Sequence, residues 1–331
     1  MILAADIGGT NARFAVFHEG GGRPLVVEKF ATAAWESLPL LLREFLDRQR
    51  VRVTRACIAV AGPVHNGRVD AINLPWTVDA DQLARALDLP AVALVNDLAA
   101  NARGIAALEP HDLRTLNAGD PAAAGNRAVV SAGTGLGEAA LVSHDGGFHA
   151  VAGEGGHADF APRNELEIEL LRFLSKDYGH VSYERICSGV GLVHVYRFLR
   201  SAGTRPGWFE GEPPTPSAEA IAAEAKADPL SLSARALALF ASLYGTRAGN
   251  LALSFMATGG VYLGGGIAPR ISDTLAGGDF MRAFADKGRF TTLLSRIPVH
   301  VILNDQTALL GAAEIAAEQP SAYPLPKVVS L

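Results

Sequence analysis

What most constrains this chain is a pattern that occurs twice: three short strand-like runs joined by tight turns, then helices alternating with further strands. In the first copy, ILAADI, RFAVFH and LVVEKFAT lie too close together for crossover helices. That spacing predicts antiparallel hairpins, with a turn over His18–Pro24. A helix near Ser37–Arg48, the runs ACIAVA and RVDAINL, a helix near Asp79–Leu87 and the run AVALVND follow. Asn66-Gly67 before RVDAINL favours a type I′ turn. Near Asn126 the arrangement restarts with RAVVSAG, a Gly/Thr turn, GEAALVSH, an Asp145-Gly146 turn and FHAVAG. Two similar halves, slight in residue identity, predict a duplicated α/β fold with a ligand cleft between its domains.

The rest of the chain is mainly helical. Helices are expected over Glu165–Asp177, Tyr183–Leu199, Ser217–Lys226 and a long amphipathic run from Leu230 to Met256, with the Pro/Gly-rich TRPGWFEGEPPTPS as a surface loop. GVYLGG reads as a buried strand ending in Gly264-Gly265-Gly266, VHVILND as another strand, and Thr307–Glu318 as an alanine-rich helix that packs back on the first domain.

With 331 residues, 49% of them hydrophobic, the chain has material for two cores. Its net charge of −5 comes from nearly balanced acids and bases without a basic stripe, which argues against nucleic acid as a partner and for small-molecule chemistry. Cys57 and Cys187 are far apart and give neither a disulfide framework nor zinc-ligand spacing, a usage that suits a reducing cytosol. MILAADIGG carries no basic leader, and no apolar run approaches the roughly 18–20 residues of a membrane span. A soluble, unprocessed, cytoplasmic protein is expected.

Several segments carry candidate chemistry. Strand ILAADI delivers Asp6 into Gly8-Gly9-Thr10, where glycines let backbone N–H groups converge on an anion. Asp6 is placed to hold Mg²⁺ through its water shell. Alone, Gly-Gly-Thr equally fits an ordinary hairpin with an acid at its mouth. A second such turn, Gly133-Thr134-Gly135-Leu136-Gly137, stands at the corresponding place in the second half and favours a pair of phosphate loops. Neither loop has Walker or dinucleotide spacing. Gly264–Gly266 suits close approach of adenine or ribose, or simply a tight strand-to-helix turn. Asn96-Asp97 closes the strand AVALV at the sheet edge where α/β folds place ligands; Asp97 is either a helix N-cap or the carboxylate that serves an attacking hydroxyl. Glu154-Gly155-Gly156-His157 offers a donor and an acceptor to sugar hydroxyls. Glu184 reads, by itself, as a first-turn helix acid.

Together these segments resemble the bacterial glucokinase family of the sugar kinase, heat-shock protein and actin superfamily. The likeness rests on ADIGGTNARFAV, AVAGPV, AINLPW, VNDLAANARGI, GTGLGEA, GEGGHADFAP, YERICSG, GGVYLGGGIAPR, AFADKGRF and LLGAAEIA, in that order across almost the whole chain. It implies a duplicated actin-like (ribonuclease H-like) fold with two domains around a nucleotide and sugar cleft. Residues 1–107, completed by 298–320, would form the small domain and 108–297 the large one. It further implies ATP-dependent phosphorylation of glucose with Mg²⁺, and a homodimer. By residue, Ala5, Asp6, Ile7, Gly8, Gly9 and Thr10 would form the ATP phosphate loop, Thr134 and Gly135 would reach the phosphates, and Gly264 and Gly265 would lie at adenosine. Asn96, Asp97, Glu154, His157 and Glu184 would hold the sugar, with Asp97 as base, and Asn73 and Gly62-Pro63 nearby. One departure is Glu138, an acid where the family commonly has a small or apolar residue.

Three other readings stand beside this one. The first is a hexose kinase of different sugar preference. The second is a member of the repressor-and-kinase family, against which the two isolated cysteines argue because those kinases typically carry a cysteine-rich zinc motif. The third is a non-catalytic actin-like or sugar-sensing ATP-binding protein; a repressor of that kind needs a DNA-binding module, for which no room is expected before the first strand.

Overall fold

The computed structural model describes residues 1–69, 76–202 and 214–318. The first hairpins form as their spacing predicts. Strands β1 (Ile2–Ile7), β2 (Asn11–Phe17) and β3 (Val26–Ala31) pair antiparallel in sequence order. Helix α1 (Leu38–Gln49), capped by the Ser37 hydroxyl, leads to β4 (Arg55–Val60), which returns parallel to β1. The Asn66-Gly67 turn has positive φ at both residues, +50° and +73°, and His65 and Arg68 exchange both backbone hydrogen bonds across it, as a type I′ turn requires. It opens a short ribbon of β5 (Arg68–Val69) and β6 (Val78–Asp79). Helix α2 (Ala80–Leu87), β7 (Ala93–Asn96) and α3 (Asp97–Gly104) complete this part, and β7 pairs parallel to β4. The sheet order is β3-β2-β1-β4-β7.

The second sheet begins with a strand that the reading of the sequence lacked, β8 (Leu113–Asn117). Its residues LRTLN are at most half-buried on the sheet edge, so no apolar run announces it. The next strands follow expectation: β9 (Arg127–Ala132), β10 (Leu136–His144) and β11 (Gly147–Gly153). Helices α4 (Glu165–Leu174), α5 (Gly189–Ala202), α6 (Ala218–Ala227) and α7 (Leu232–Phe255) come next, then β12 (Val261–Gly264), the short helices α8 (Ser272–Ala276), α9 (Asp279–Ala285) and α10 (Thr291–Ser295), and β13 (Val299–Ile302). Strand order is β11-β10-β9-β12-β13-β8, with β9, β12 and β13 parallel. The single helix expected over Tyr183–Leu199 is broken. A 3₁₀ turn at Tyr183–Arg185 precedes α5, because the Ser188 hydroxyl accepts from Gly191 N (3.1 Å) and starts a new helix there.

The chain ends its described course in α11 (Thr307–Glu318). Two compact units result. Of the described residues, one comprises those within Met1–Pro110, Ser143–Ala152 and Asn304–Glu318; the other comprises those within His111–Val142 and Gly153–Leu303. In the first, alternate residues of β1 feed opposite faces. Leu3, Ala5 and Ile7 pack with Leu41, Leu42 and Phe45 of α1, while Ile2 and Ala4 pack with Leu309, Ala312 and Ala316 of α11. Helix α11 lies so close to α3 that a Cβ on Gly311 would overlap the Ala100 carbonyl, and one on Gly104 the Thr307 carbonyl. In the second unit α7 is the central helix, burying Phe240 and Tyr244 against the sheet and α9. Both cysteines are free and buried. Among the described residues, no helix is long and apolar enough to cross a membrane.

Candidate active site

In the first unit the parallel strands set the register: Ile7, Val60 and Asn96 lie level across β1, β4 and β7. The segments leaving that edge, Gly8–Thr10, Ala61–Pro63 and Asn96–Asp97, are therefore neighbours. The carboxyl edge of parallel strands is where α/β sheets present ligand-binding groups. The Gly8–Thr10 loop is tied at both ends. Gly8 N donates to Asn11 O (2.9 Å), the Thr32 hydroxyl donates to Gly8 O (3.0 Å), and Thr32 N donates to Thr10 O (3.1 Å). Gly9 and Thr10 at its tip are exposed.

Asn96, not Asp97, caps α3. Its Oδ1 accepts from Leu98 N (2.9 Å) and Ala99 N (3.2 Å), and its Nδ2 donates to Gly62 O (3.1 Å), binding the β4 and β7 exits together. Asp97 is the first residue of the helix, half-buried, with Oδ1 accepting from Leu98 N at 2.9 Å. A carboxylate there is favoured by the positive end of the helix.

Asp6 stands opposite Arg13 in the β1–β2 register. Arg13 in turn holds Asp305, through a 2.9 Å ion pair and a 2.6 Å hydrogen bond to its carbonyl. Burial pushes the Asp6 carboxyl above its ordinary range, Arg13 pulls it down and Asp305 adds to the rise. Carboxylate oxygens are the hard donor type that would suit a magnesium ion keeping most of its waters. They do not form an all-protein cage: among the described residues, no cluster of three or more His, Cys, Asp or Glu side chains is present. Asp305 escaped the reading of the sequence, although a signal existed. VILNDQ repeats the pattern of ALVNDL, a strand closed by Asn-Asp before a helix, and Asn304 Oδ1 accepts from Gln306 N (2.9 Å) as Asn96 does from Leu98 N.

In the second unit the Gly133–Gly135 turn joins β9 to β10, and Gly133 O accepts from Gly189 N (2.8 Å). Gly264 lies level with Ser131, so Gly265 and Gly266 leave the sheet beside this turn; Ile267 N returns a hydrogen bond to Ala132 O (3.1 Å). Leu136, just past the turn, gathers the remaining candidates. Its N–H donates to Glu184 Oε2 at 2.9 Å, and its carbonyl sits where a Cβ on Gly156 would be. Glu154 and His157, at the two ends of the Gly155-Gly156 turn, are both exposed, and His157 N donates to Glu154 O (3.0 Å). Tyr183 N donates to Ala158 O (3.0 Å), which lays the Glu184 turn along the Glu154–His157 turn.

Asp6, Gly8–Thr10, Gly62, Asn96 and Asp97 thus gather at one edge of the first unit. Thr134, Gly135, Glu154, His157, Glu184, Gly264 and Gly265 gather in the second. Asn73 lies outside the described residues. A cavity of about 450 Å³ lined by Asp120, Thr258, Leu293 and Arg296 lies elsewhere, at the strand-entry edge of the second sheet, before β12 and β13 begin. Ligand groups of parallel strands sit at the other end.

Comparison with known proteins identifies the family. The family model described as glucokinase matches residues 3–319. The glucokinase of Nostoc sp. (strain PCC 7120 / SAG 25.82 / UTEX 2576) is 39% identical over 338 residues, covering 96% of this chain and 99% of the relative. The crystal structure of glucokinase from an Antarctic psychrotroph superposes with a TM-score of 0.84 at 32% identity, over 96% of this chain and 99% of that one. Glucokinase from Balamuthia mandrillaris, solved in complex with glucose, gives a TM-score of 0.76 at 24% identity, over 95% and 93% of the two chains. At that identity the likeness speaks for the fold alone, the actin-like α/β fold that the sequence resemblance implied. Matched by one family model from β1 to just past α11, and by a curated relative over nearly its full length, this chain belongs to the glucokinase family.

Proposed function

We propose that this chain transfers the γ-phosphoryl group of ATP to the 6-hydroxyl of glucose, giving glucose 6-phosphate and ADP. The observation that carries the reading is the register Ile7–Val60–Asn96, which sets the Gly8–Thr10 loop and the Asn96-Asp97 pair on one edge of one sheet. A phosphate-binding loop and a carboxylate able to serve an alcohol are what phosphoryl transfer to a sugar requires. In this reading Ala5–Thr10, Thr134 and Gly135 receive the phosphates, and Gly264 and Gly265 the adenosine. Asn96, Glu154, His157 and Glu184 fix the hexose. Asp97 accepts the proton of the 6-hydroxyl as its oxygen bonds to the γ-phosphorus and the bond to the bridging oxygen of ADP breaks. Asp6 would hold magnesium through its water shell, and the ion when bound would supply charge neutralisation at the phosphates. In this reading the chain forms two duplicated domains around a nucleotide and sugar cleft, a small one that holds the first sheet and the C-terminal helix and a large one that holds the second sheet. The protein works in the cytoplasm as a homodimer.

Coupled ADP release with ATP and Mg²⁺ tests the reaction directly. ADP should form with glucose and not with 6-deoxyglucose, and mannose and glucosamine report preference among hexoses. ADP formation that is independent of hexose, or absent with every hexose, overturns the reading.

A further inference from the structure

The acid that departs from the family pattern, Glu138, does not face the Gly133–Gly135 turn. It points into the second unit, 2% exposed, and forms a two-pronged ion pair with Arg247 of α7: Nε to Oε1 and Nη2 to Oε2. The Arg247 side chain is only 12% exposed and has two further contacts. Nη2 also donates to Gly155 O at 2.9 Å, inside the Glu154–His157 turn. The Arg247 guanidinium carbon lies 5.0 Å from the centre of the Tyr183 ring, the residue before Glu184. That ring is fixed from its other end, where Asn250 Nδ2 donates to the Tyr183 hydroxyl (3.0 Å). Glu138 is also two residues along β10 from Leu136, whose N–H and carbonyl meet Glu184 and Gly156.

One buried side chain therefore touches both turns that carry the proposed sugar ligands. We infer that the Glu138–Arg247 pair is a positioning clamp for the hexose, setting the spacing between the Glu154–His157 turn and the Glu184 turn; this rests on the hexose-kinase reading. A carboxylate is needed because it aligns both guanidinium nitrogens in one plane, leaving the spare Nη2 hydrogen aimed at the Gly155 carbonyl. Gly155 is required because a Cβ there would overlap Glu138 and press on Arg247. Neither residue touches sugar, so the pair acts through the ligands it spaces. Misplacement of positioning groups by about 1 Å can lower turnover on the order of 10²-fold.

The test uses the full chain in two forms, Arg247→Lys and the double variant Glu138→Gln with Arg247→Met. Arg247→Lys keeps the charge but loses the planar fork. The double variant leaves no unpaired buried charge, so it folds where a single loss could not. For each, KM for glucose and for ATP is measured, with glucose Kd by calorimetry and folding by circular dichroism. The expected result is a rise of about tenfold or more in glucose KM and Kd, with ATP KM within about twofold of wild type. A folded double variant with wild-type glucose Kd overturns the clamp, and so do glucose and ATP KM rising together. A wild-type chain that neither binds nor phosphorylates a hexose overturns the functional reading, and the clamp with it.

Discussion

The role proposed for Asp97 is separable because its neighbour carries the structural work. Asn96 supplies the cap of α3 and the bond to Gly62, so changing the Asp97 carboxylate to an amide leaves both in place. An amide cannot take a proton. Asp97→Asn should therefore lose about 10²–10⁴-fold in kcat while keeping its melting temperature and much of its affinity for glucose. Turnover and calorimetry on the same preparation check this; near-normal kcat removes the base role, and lost binding with normal kcat makes Asp97 a sugar ligand only. At this scale the sequence was most legible where the candidate site lies at strand ends. Asp6, Asn96 and Asp97 could be named because apolar strands stop there. The partners of the site could not. Arg13 and Asp305 are 292 residues apart, and Glu138 and Arg247 are 109 apart. Such pairs are made by the fold, and no local pattern announces them; Glu138 was visible only as a departure, without its cause.

Helix α11 shows how one element supports the candidate site through a neighbouring helix. It meets α3 through Gly104 and Gly311, with no room for a methyl group on either. The amino end of α3 is the Asn96-Asp97 corner. Gly311→Ala must push the helices apart, an overpacking penalty of about 1–3 kcal/mol, and tilt that corner. The variant should unfold at lower urea and show reduced kcat; a variant as stable and as active as wild type would mean that the contact is softer than its geometry. Helix α11 itself was legible as an alanine-rich helix destined for the first domain, since small residues permit close packing. β8 was not, because an edge strand with one half-solvated face needs no hydrophobic run.

For the whole molecule, stability depends on charge buried away from the site. Lys287 is half-buried, its ammonium pushed down to about 8 by burial and by Arg163, against the opposite pull of Asp286 and Glu167. An unfolded lysine titrates near about 10.4. Between those values the unfolded chain holds a proton that the folded one has released, so this group makes stability rise with pH from about 8 to about 10.4. Below about 8 both states are protonated and the penalty of the buried ammonium is present in full. Lys287→Met should be at least as stable as wild type at neutral pH and lose that advantage as pH climbs through the window. Urea unfolding of both proteins across the range reads the difference; parallel curves would show that Lys287 titrates normally in the fold.

The covering of β1 by α11 has a further consequence for how the protein is made. Ile2 and Ala4 find their packing partners in a helix synthesised some 300 residues later. At about 5–20 residues per second that is a wait of roughly 15–60 s with an apolar sheet face uncovered. Exposed apolar surface of that kind on an emerging chain is what chaperones exist to guard. A chain cut short before Thr307 would keep the Gly8–Thr10 loop and its ties to Asn11 and Thr32, and would lose the helix that covers the other face of the sheet beneath them.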